Sequence, residues 1–130
     1  MGRFTIQNLK EIDNAAERFG LETGFEARFA TRPLDCEQSG LSYQRLPPGA
    51  RSAFGHRHHE EEEVYVVVGG AGRVRLDDEV RDLRSWDAVR VASGVTRAFE
   101  AGADGLEFLV FGAPGAGSAD VEIVPDWWKG

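Results

Sequence analysis

Short runs of hydrophobic residues, either continuous or alternating with polar ones, fill most of the chain between residues 25 and 124. Gly, Pro and Asp separate these runs, which are rich in β-branched and aromatic side chains. They are FEARFA, LSYQRL, SAFGHRH, EVYVVV, RVRL, EVRDL, DAVRVA, TRAFEA, LEFLVFG and VEIV. Many short strands at even spacing are typical of an antiparallel barrel or sandwich. The pattern therefore predicts an all-β protein, with a tight hairpin at Asp77 and Asp78 between RVRL and EVRDL.

Helical spacing is convincing only near the N-terminus, in residues 8–20. Apolar residues recur there on one predicted helix face, at Leu9, Ile12, Ala16 and Phe19. Asn8 and Glu11 fit a capping box at the start of this helix, and Gly20 is a typical stop. A chain of 130 residues suits one domain. We expect a helical arm over residues 1–22, a barrel over 23–112 and a tail over 113–130.

Two glycine-rich segments and a pair of tryptophans need separate explanations. GGAG (residues 69–72) and GAPGAGS (residues 112–118) superficially suggest phosphate-binding loops. The first leads into another strand rather than a helix, and the second lacks the Lys of a P-loop, so we predict a turn and a loose exit loop.

Trp127 and Trp128 would be poor surface residues in water, and we expect them to pack on the barrel or on a second subunit.

Composition excludes several classes of function. The net charge of −7 and the isoelectric point near 4.9 repel nucleic-acid phosphates and anionic membrane surfaces. The N-terminus has no apolar signal core, and no apolar run approaches membrane-spanning length. We therefore expect a cytoplasmic protein that contacts neither nucleic acid nor membrane. Cys36 is the single cysteine, and its neighbours Asp35 and Glu37 disfavour the reactive thiolate.

All three histidines of the chain lie in the stretch HRHHEEEE, residues 56–63. Residues two apart on a strand project from the same face, so His56 and His58 point to one side and His59 to the other. If EVYVVV runs antiparallel to SAFGHRH, the carboxylate of Glu63 returns toward the histidine pair. Two His and one carboxylate suit a divalent transition metal and leave positions open for water or substrate. The alternative is an acidic, solvated hairpin whose histidines are surface residues.

The segment PPGARSAFGHRHHEEEEVYVVVGGAG resembles the first motif of the cupin family. In that motif a Gly precedes His-x-His, and a Glu and then a second Gly follow. His56, His58, Glu63 and Gly70 match it, and the opening Gly49 lies one residue further from the first His than usual. The resemblance extends over roughly residues 41–112. It implies a cupin jelly-roll, which is a double-stranded β-barrel, here with the short N-terminal helix, and it implies His56, His58 and Glu63 as metal ligands.

The second cupin motif is similar to LRSWDAVRVASGVTRAFEAG but differs from it at the metal site. Gly94 is retained, whereas Arg97 stands where the family has its fourth metal ligand, a His. A guanidinium about 5 Å from a divalent ion, at an effective dielectric of about 20, opposes the ion by roughly 7 kcal/mol. Either Arg97 pairs with Glu63 and replaces the ion, or it turns aside or is screened by glutamates while three ligands hold the ion. We expect Fe, Mn, Ni, Cu or Zn on three ligands, or no metal.

Barrels of this kind enclose a pocket at one mouth, and we expect Phe54, Trp86 and Phe99 to line it. One function compatible with such a pocket is binding of a small molecule, at the metal or, without metal, at Arg97 and the histidines. The family's habit and the tryptophan pair also lead us to expect a homodimer.

The alternative function is catalysis, and fold alone does not decide between the two. A metal-dependent dioxygenase, hydrolase or isomerase would use Arg97 to anchor a small anionic substrate and Tyr65 to donate a proton. A metal-free isomerase would need a base with a tuned pKa, for which His56 beside Glu63 is the candidate.

Overall fold

The structure is a computed structural model that describes residues 2–113, 120–125 and 127–128. Eight strands dominate the described residues: β1 (Glu26–Phe29), β2 (Gly40–Leu46), β3 (Phe54–His58), β4 (Glu63–Leu76), β5 (Glu79–Arg84), β6 (Ala88–Val91), β7 (Arg97–Gly112) and β8 (Val121–Pro125). The prediction of an all-β fold is confirmed.

One curled antiparallel sheet contains all eight strands, and β7 lies at its centre. Hydrogen-bonded neighbours follow the order β1, β2, β7, β3, β8, while β4 pairs with β5, β6 and β7. The two longest strands, β4 and β7, run side by side from the Glu63–Gly112 pair to the Leu76–Arg97 pair. Because β7 also pairs with β3 at His56, the start of β7 lies beside the histidine strand.

The glycine segment of residues 69–72 is part of β4 and not the turn that we predicted. EVYVVV and RVRL join through it into one strand, and register shifts against β7 occur between Val67 and Gly69 and between Gly70 and Gly72. Gly70 has φ +71°, and a Cβ there would lie 2.1 Å from the carbonyl oxygen of Gly105. The glycines therefore permit bulges and a close backbone approach instead of a chain reversal.

TRAFEA and LEFLVFG likewise merge into β7, whereas the predicted hairpin at Asp77 and Asp78 is confirmed between β4 and β5. Of the predicted exit loop over residues 112–118, residues 114–118 lie outside the described residues.

The predicted N-terminal helix is reduced to two short 3-10 turns, Leu9–Glu11 and Ala16–Phe19. Asn8 caps the first turn, and Gly20 ends the second in the left-handed conformation at φ +74°, as predicted. The Asn14 side chain accepts hydrogen bonds from the backbone N–H groups of Ala16 and Ala27. These bonds tie the arm to β1 and interrupt a continuous helix, because Asn offers the backbone an alternative to helical hydrogen bonds. No helix among the described residues is long and apolar enough to cross a membrane.

The hydrophobic core fills the concave side of the sheet. Its buried members are Leu46, Tyr65, Val67, Val74, Leu83, Val91, Phe99, Ala101, Leu106, Phe108 and Val110. Phe99 stacks on Phe108 with ring centroids 4.5 Å apart. Tyr65 belongs to this core and also contacts Glu63, so the core directly borders a cluster of polar side chains.

The two tail tryptophans pack on the barrel, which is one of the two outcomes that we predicted. A Cβ on Gly55 would lie 2.7 Å from Cγ of Trp127, so that glycine makes room for the indole. The Arg75 guanidinium lies 3.9 Å from the Trp127 ring centroid, and those of Arg51 and Arg73 lie within 6 Å of Trp128.

Candidate metal centre

His56 and His58 project from the same face of β3, as their spacing predicts. Their rings lie 5.3 Å apart, at 86° to each other. His58 is buried, whereas the side chain of His56 is 28% exposed. His59 lies on the other face, where its ring faces Glu122 at 3.5 Å. His59 is therefore no part of the cluster.

Glu63 reaches the histidines across the barrel interior and not from a neighbouring strand. The assumption that β3 pairs with β4 is wrong, because β3 pairs with β7 and β8 while the start of β4 pairs with β6 and β7. The curl of the sheet nevertheless faces the first residue of β4 toward His56 and His58. The three candidate ligands therefore come from two strands that are not hydrogen-bonded to each other.

The donor atoms of the three residues fit a shared divalent ion. Glu63 Oε1 lies 3.3 Å from Nε2 of His58 and 3.7 Å from Nε2 of His56, and all three donors fall within 4.8 Å of one another. Ligands bound at the usual ~2.0–2.2 Å around a metal are separated by about this much. Two imidazole nitrogens and one carboxylate oxygen also form the donor set that borderline metals prefer.

Asp120, immediately before β8, holds the far side of the His58 ring. Its Oδ2 lies 3.1 Å from Nδ1 of His58, and its carboxylate accepts hydrogen bonds from the backbone N–H groups of His59, Glu60 and Glu61. The carboxylate of Glu61 lies 3.2 Å from the same Nδ1. With Nδ1 facing these carboxylates, Nε2 of His58 is left toward Glu63. This is the arrangement in which an acidic group orients a ligating histidine.

Arg97 is fully buried beside Glu63, so its side chain does not turn outward. It also does not form the close ion pair with Glu63 that would replace a metal ion. Its Nη2 lies 3.8 Å from Glu63 Oε1, which is too long for a hydrogen bond, and its Nη1 donates to the backbone oxygen of His56 at 3.5 Å. Among the described residues, none accepts a hydrogen bond from its Nε or Nη2. The guanidinium therefore contributes charge to the cluster but forms no bidentate pair there.

Tyr65 donates its hydroxyl proton to Glu63 Oε1 at 2.6 Å. Burial and the charge of Glu63 raise the pKa of Tyr65 well above its ordinary value, although Arg97 acts in the opposite direction. Burial alone would raise the pKa of Glu63, but the neighbouring His56 and Tyr65 side chains outweigh it and bring that pKa below its ordinary value. Glu63 is thus held as the carboxylate that a metal needs.

A cavity of about 800 Å³ opens beside this cluster. Its wall includes His56, His58, Glu63, Tyr65 and Arg97, together with Phe54 and the core residue Phe99.

The placement of Trp86 in that pocket is wrong. Its side chain is 75% exposed in the turn between β5 and β6 and is not part of the cavity wall. Its backbone has φ +75°, the left-handed conformation that glycine usually adopts in a turn. The indole extends from this turn into solvent.

Sequence reasoning missed Asp120 and Glu61 as members of the site. Glu61 lies within the glutamate run that we assigned to a turn, and it is three residues after His58. Asp120 precedes the VEIV run, and only the pairing of that run with β3 brings it to His58. The local sequence contained no signal for this pairing.

A family model described as Cupin domain matches residues 42–112, which is more than half of the chain. Among curated proteins, none matches the chain.

Solved structures with a similar fold include a cupin protein from Bacteroides fragilis, at 24% identity and a TM-score of 0.72, over 91% of this chain and 89% of that one. Oxalate decarboxylase from Bacillus subtilis matches at 26% identity and a TM-score of 0.76, over 98% of this chain and 34% of that one, so this chain spans about a third of its length. Salicylate 1,2-dioxygenase from Pseudaminobacter salicylatoxidans matches at 21% identity and 0.68, over 83% of this chain and 34% of that one. The family model, the eight-stranded curled sheet and the His-x-His motif agree, and this chain belongs to the cupin family.

Proposed function

We propose that this protein binds a small molecule at a divalent transition-metal centre held by His56, His58 and Glu63. The observation that carries the proposal is the convergence of Nε2 of both histidines and Oε1 of Glu63 at one point on the cavity wall. Three protein ligands leave coordination positions for water or for a ligand from the cavity.

The charge of the surrounding side chains supports a cation here despite Arg97. The carboxylates of Glu61, Glu63 and Asp120 lie around His58, and Arg97 is the one guanidinium at the cluster among the described residues. Three negative charges against one positive charge leave two negative charges, which a divalent ion neutralises. These three carboxylates therefore provide the screening that a metal beside Arg97 requires.

Each side chain has a distinct task in this proposal. Asp120 fixes the ring of His58 so that Nε2 faces the ion, and Tyr65 orients the Glu63 carboxylate through its hydroxyl. A metal bound here would polarise a coordinated oxygen of the ligand or of water. Because Arg97 is fully buried, its charge favours an anionic group in the cavity, but its guanidinium does not hydrogen-bond to that group directly.

The second candidate is a metal-dependent cupin enzyme that acts on a small anionic substrate. The observation in its favour is the 26% identity to oxalate decarboxylase across nearly the whole of this chain, since that relative acts on a carboxylate. The hydroxyl of Tyr65 is engaged with Glu63 and has a raised pKa, so it suits an orienting role better than proton donation. A metal held by His56, His58 and Glu63 would supply Lewis acidity for such a reaction, and Tyr65 would hold the Glu63 carboxylate in place.

Metal content tests the proposal. Protein purified without chelator or polyhistidine tag, and then incubated in turn with Fe(II), Mn, Ni, Cu or Zn, should retain about one ion per chain in elemental analysis, because three converged donors suffice for a site. The His56→Ala, His58→Ala double variant should lose that ion.

The matched control is His59→Ala, which removes an imidazole from the same stretch but from the opposite face of β3. It should retain the ion. If the native protein stays free of metal after all five incubations, the proposal is wrong. Metal-loaded protein that consumes a small carboxylate such as oxalate, with release of carbon dioxide or uptake of oxygen, would favour the enzyme over the binding protein.

A further inference from the structure

The cavity wall that adjoins the polar cluster is apolar and partly exposed. Ile123 is 50% exposed, Phe29 47% and Val121 36%, and all three line the cavity together with Phe54 and Leu41. Side chains of this kind gain free energy when apolar surface covers them. A small polar ligand at the metal would leave most of a cavity of about 800 Å³ unfilled.

Strand register places this apolar wall directly against the histidines. In the β3–β8 pair, Ile123 lies opposite His56 and Val121 lies opposite His58. Directly opposed residues in an antiparallel pair project from the same face of the sheet. The two β8 side chains therefore stand on the metal side of the sheet, one strand away from the ligating nitrogens.

A second apolar position faces the cluster from the other edge of the sheet. Phe29 on β1 is opposed to Ser42, Ser42 to Val110, and Val110 to Tyr65. These four residues form one row across the inner face of the sheet, from the β1 edge to the tyrosine that donates to Glu63. The cavity wall is thus apolar at Phe29 on one side and at Val121 and Ile123 on the other, with the polar cluster between them.

The geometry points to a ligand with an anionic head and an extended apolar body, that is, an organic monocarboxylate with a hydrocarbon chain or ring. This inference rests on the proposed function for its head, because the carboxylates around His58 repel an anion until a divalent ion neutralises them. With the ion in place, the buried guanidinium of Arg97 favours the carboxylate, and the body lies along Ile123, Val121 and Phe29.

A chain-length series tests this ligand class. Butyrate, hexanoate and octanoate are titrated into the zinc-loaded protein by calorimetry, with hexanamide as the uncharged comparator. Each added CH₂ group buried should lower the dissociation constant by about twofold to fourfold, since such burial contributes up to ~0.8 kcal/mol. Hexanamide should bind more weakly than hexanoate.

Two variants locate the apolar body. Ile123→Ser and Phe29→Ser should flatten the dependence of affinity on chain length and leave the metal content unchanged. Val80→Ser is the matched control, because Val80 is similarly exposed at 45% but lies on β5, away from the cavity. Its series should equal that of the native protein.

The outcomes separate this inference from the proposed function. Metal retained without any effect of chain length overturns the ligand class alone. A chain-length effect in protein that retains no metal supports the apolar body and overturns the metal centre. If Ile123→Ser instead halves the mass measured by light scattering and chain length has no effect, the apolar wall is a subunit interface and the inference is wrong.

Discussion

At the scale of single residues, Asp120 determines how His58 presents its ring. The carboxylate faces Nδ1 at 3.1 Å and is itself held by three backbone N–H groups. A carboxylate in this position makes the facing nitrogen a donor and leaves the other free to ligate. The orientation of His58 is therefore fixed in the way that the proposed metal centre requires, whereas the more exposed His56 has no comparable partner among the described residues.

Asp120→Asn should weaken metal binding by about 10-fold to 100-fold, the usual effect of losing a group that orients a ligand. The amide keeps one oxygen for the backbone donors but loses the charge that fixes the tautomer of His58. Competition with a chelator of known affinity measures the change. Glu122→Gln is the control, since Glu122 contacts Arg57 and His59 on the outer face and should leave metal affinity unaltered.

Much of the candidate metal centre could be predicted from sequence, because the positions of its candidate ligands follow local rules. The two-residue period of a strand put His56 and His58 on one face, and the motif identified Glu63 and the departure at Arg97. Asp120 could not be predicted, because it meets His58 at a sequence separation of 62 residues. Such a contact depends on strand register, which no short stretch of sequence specifies by itself.

At the scale of elements, the strands were easier to predict than their lengths or partners. The runs that form β4 and β7 were recognised, but glycines inside each were read as ends. Gly70 and Gly105 both have positive φ, as turn glycines do, although they lie within paired strands. Local conformation is the same for a bulge and a turn, and only pairing with the neighbouring strand distinguishes them.

The tail contributes to stability through Trp127, which occupies the space above Gly55 and below the Arg75 guanidinium. Trp127→Ala should lower the free energy of unfolding by roughly 2 kcal/mol, since it removes a partly buried indole and its cation–π contact. Denaturant titration measures this change. Trp86→Ala is the matched control: its indole is 75% exposed, and its loss should change stability by less than ~0.5 kcal/mol. Equal effects of the two substitutions would show that Trp127 is not docked.

At the scale of the whole molecule, acidic residues outnumber basic ones by 22 to 15, and stability depends on how the carboxylates are paired. Glu100 on β7 accepts hydrogen bonds from Arg51 and Arg73. These two guanidinium groups hold the pKa of Glu100 below its ordinary value. A carboxyl whose pKa is lowered on folding stabilises the native state above its unfolded pKa, and this contribution disappears as pH falls through the folded pKa.

Glu100→Gln should therefore lower the melting temperature near neutral pH and have progressively less effect as the solution is acidified below about pH 4. Thermal unfolding followed by circular dichroism across this range gives the comparison. Glu79→Gln, at an exposed pair with Arg81 on β5, is the control and should produce little change at any pH. A difference between native and Glu100→Gln protein that grows toward low pH would contradict the pairing.

Residues 120–125 and 127–128 contribute to three different parts of the molecule: the polar cluster, the cavity wall and the packing on β3. Asp120 contacts the candidate ligand His58, Ile123 lines the cavity, and Trp127 packs against Gly55 of the same strand, β3. If the proposed metal centre forms, a fluorescent reporter on this segment should respond to added metal, whereas one near the exposed Phe4 or Ile6 should not. For the same reason, a purification handle at the N-terminal side should disturb the contact between His58 and Asp120 less than one at the C-terminal side.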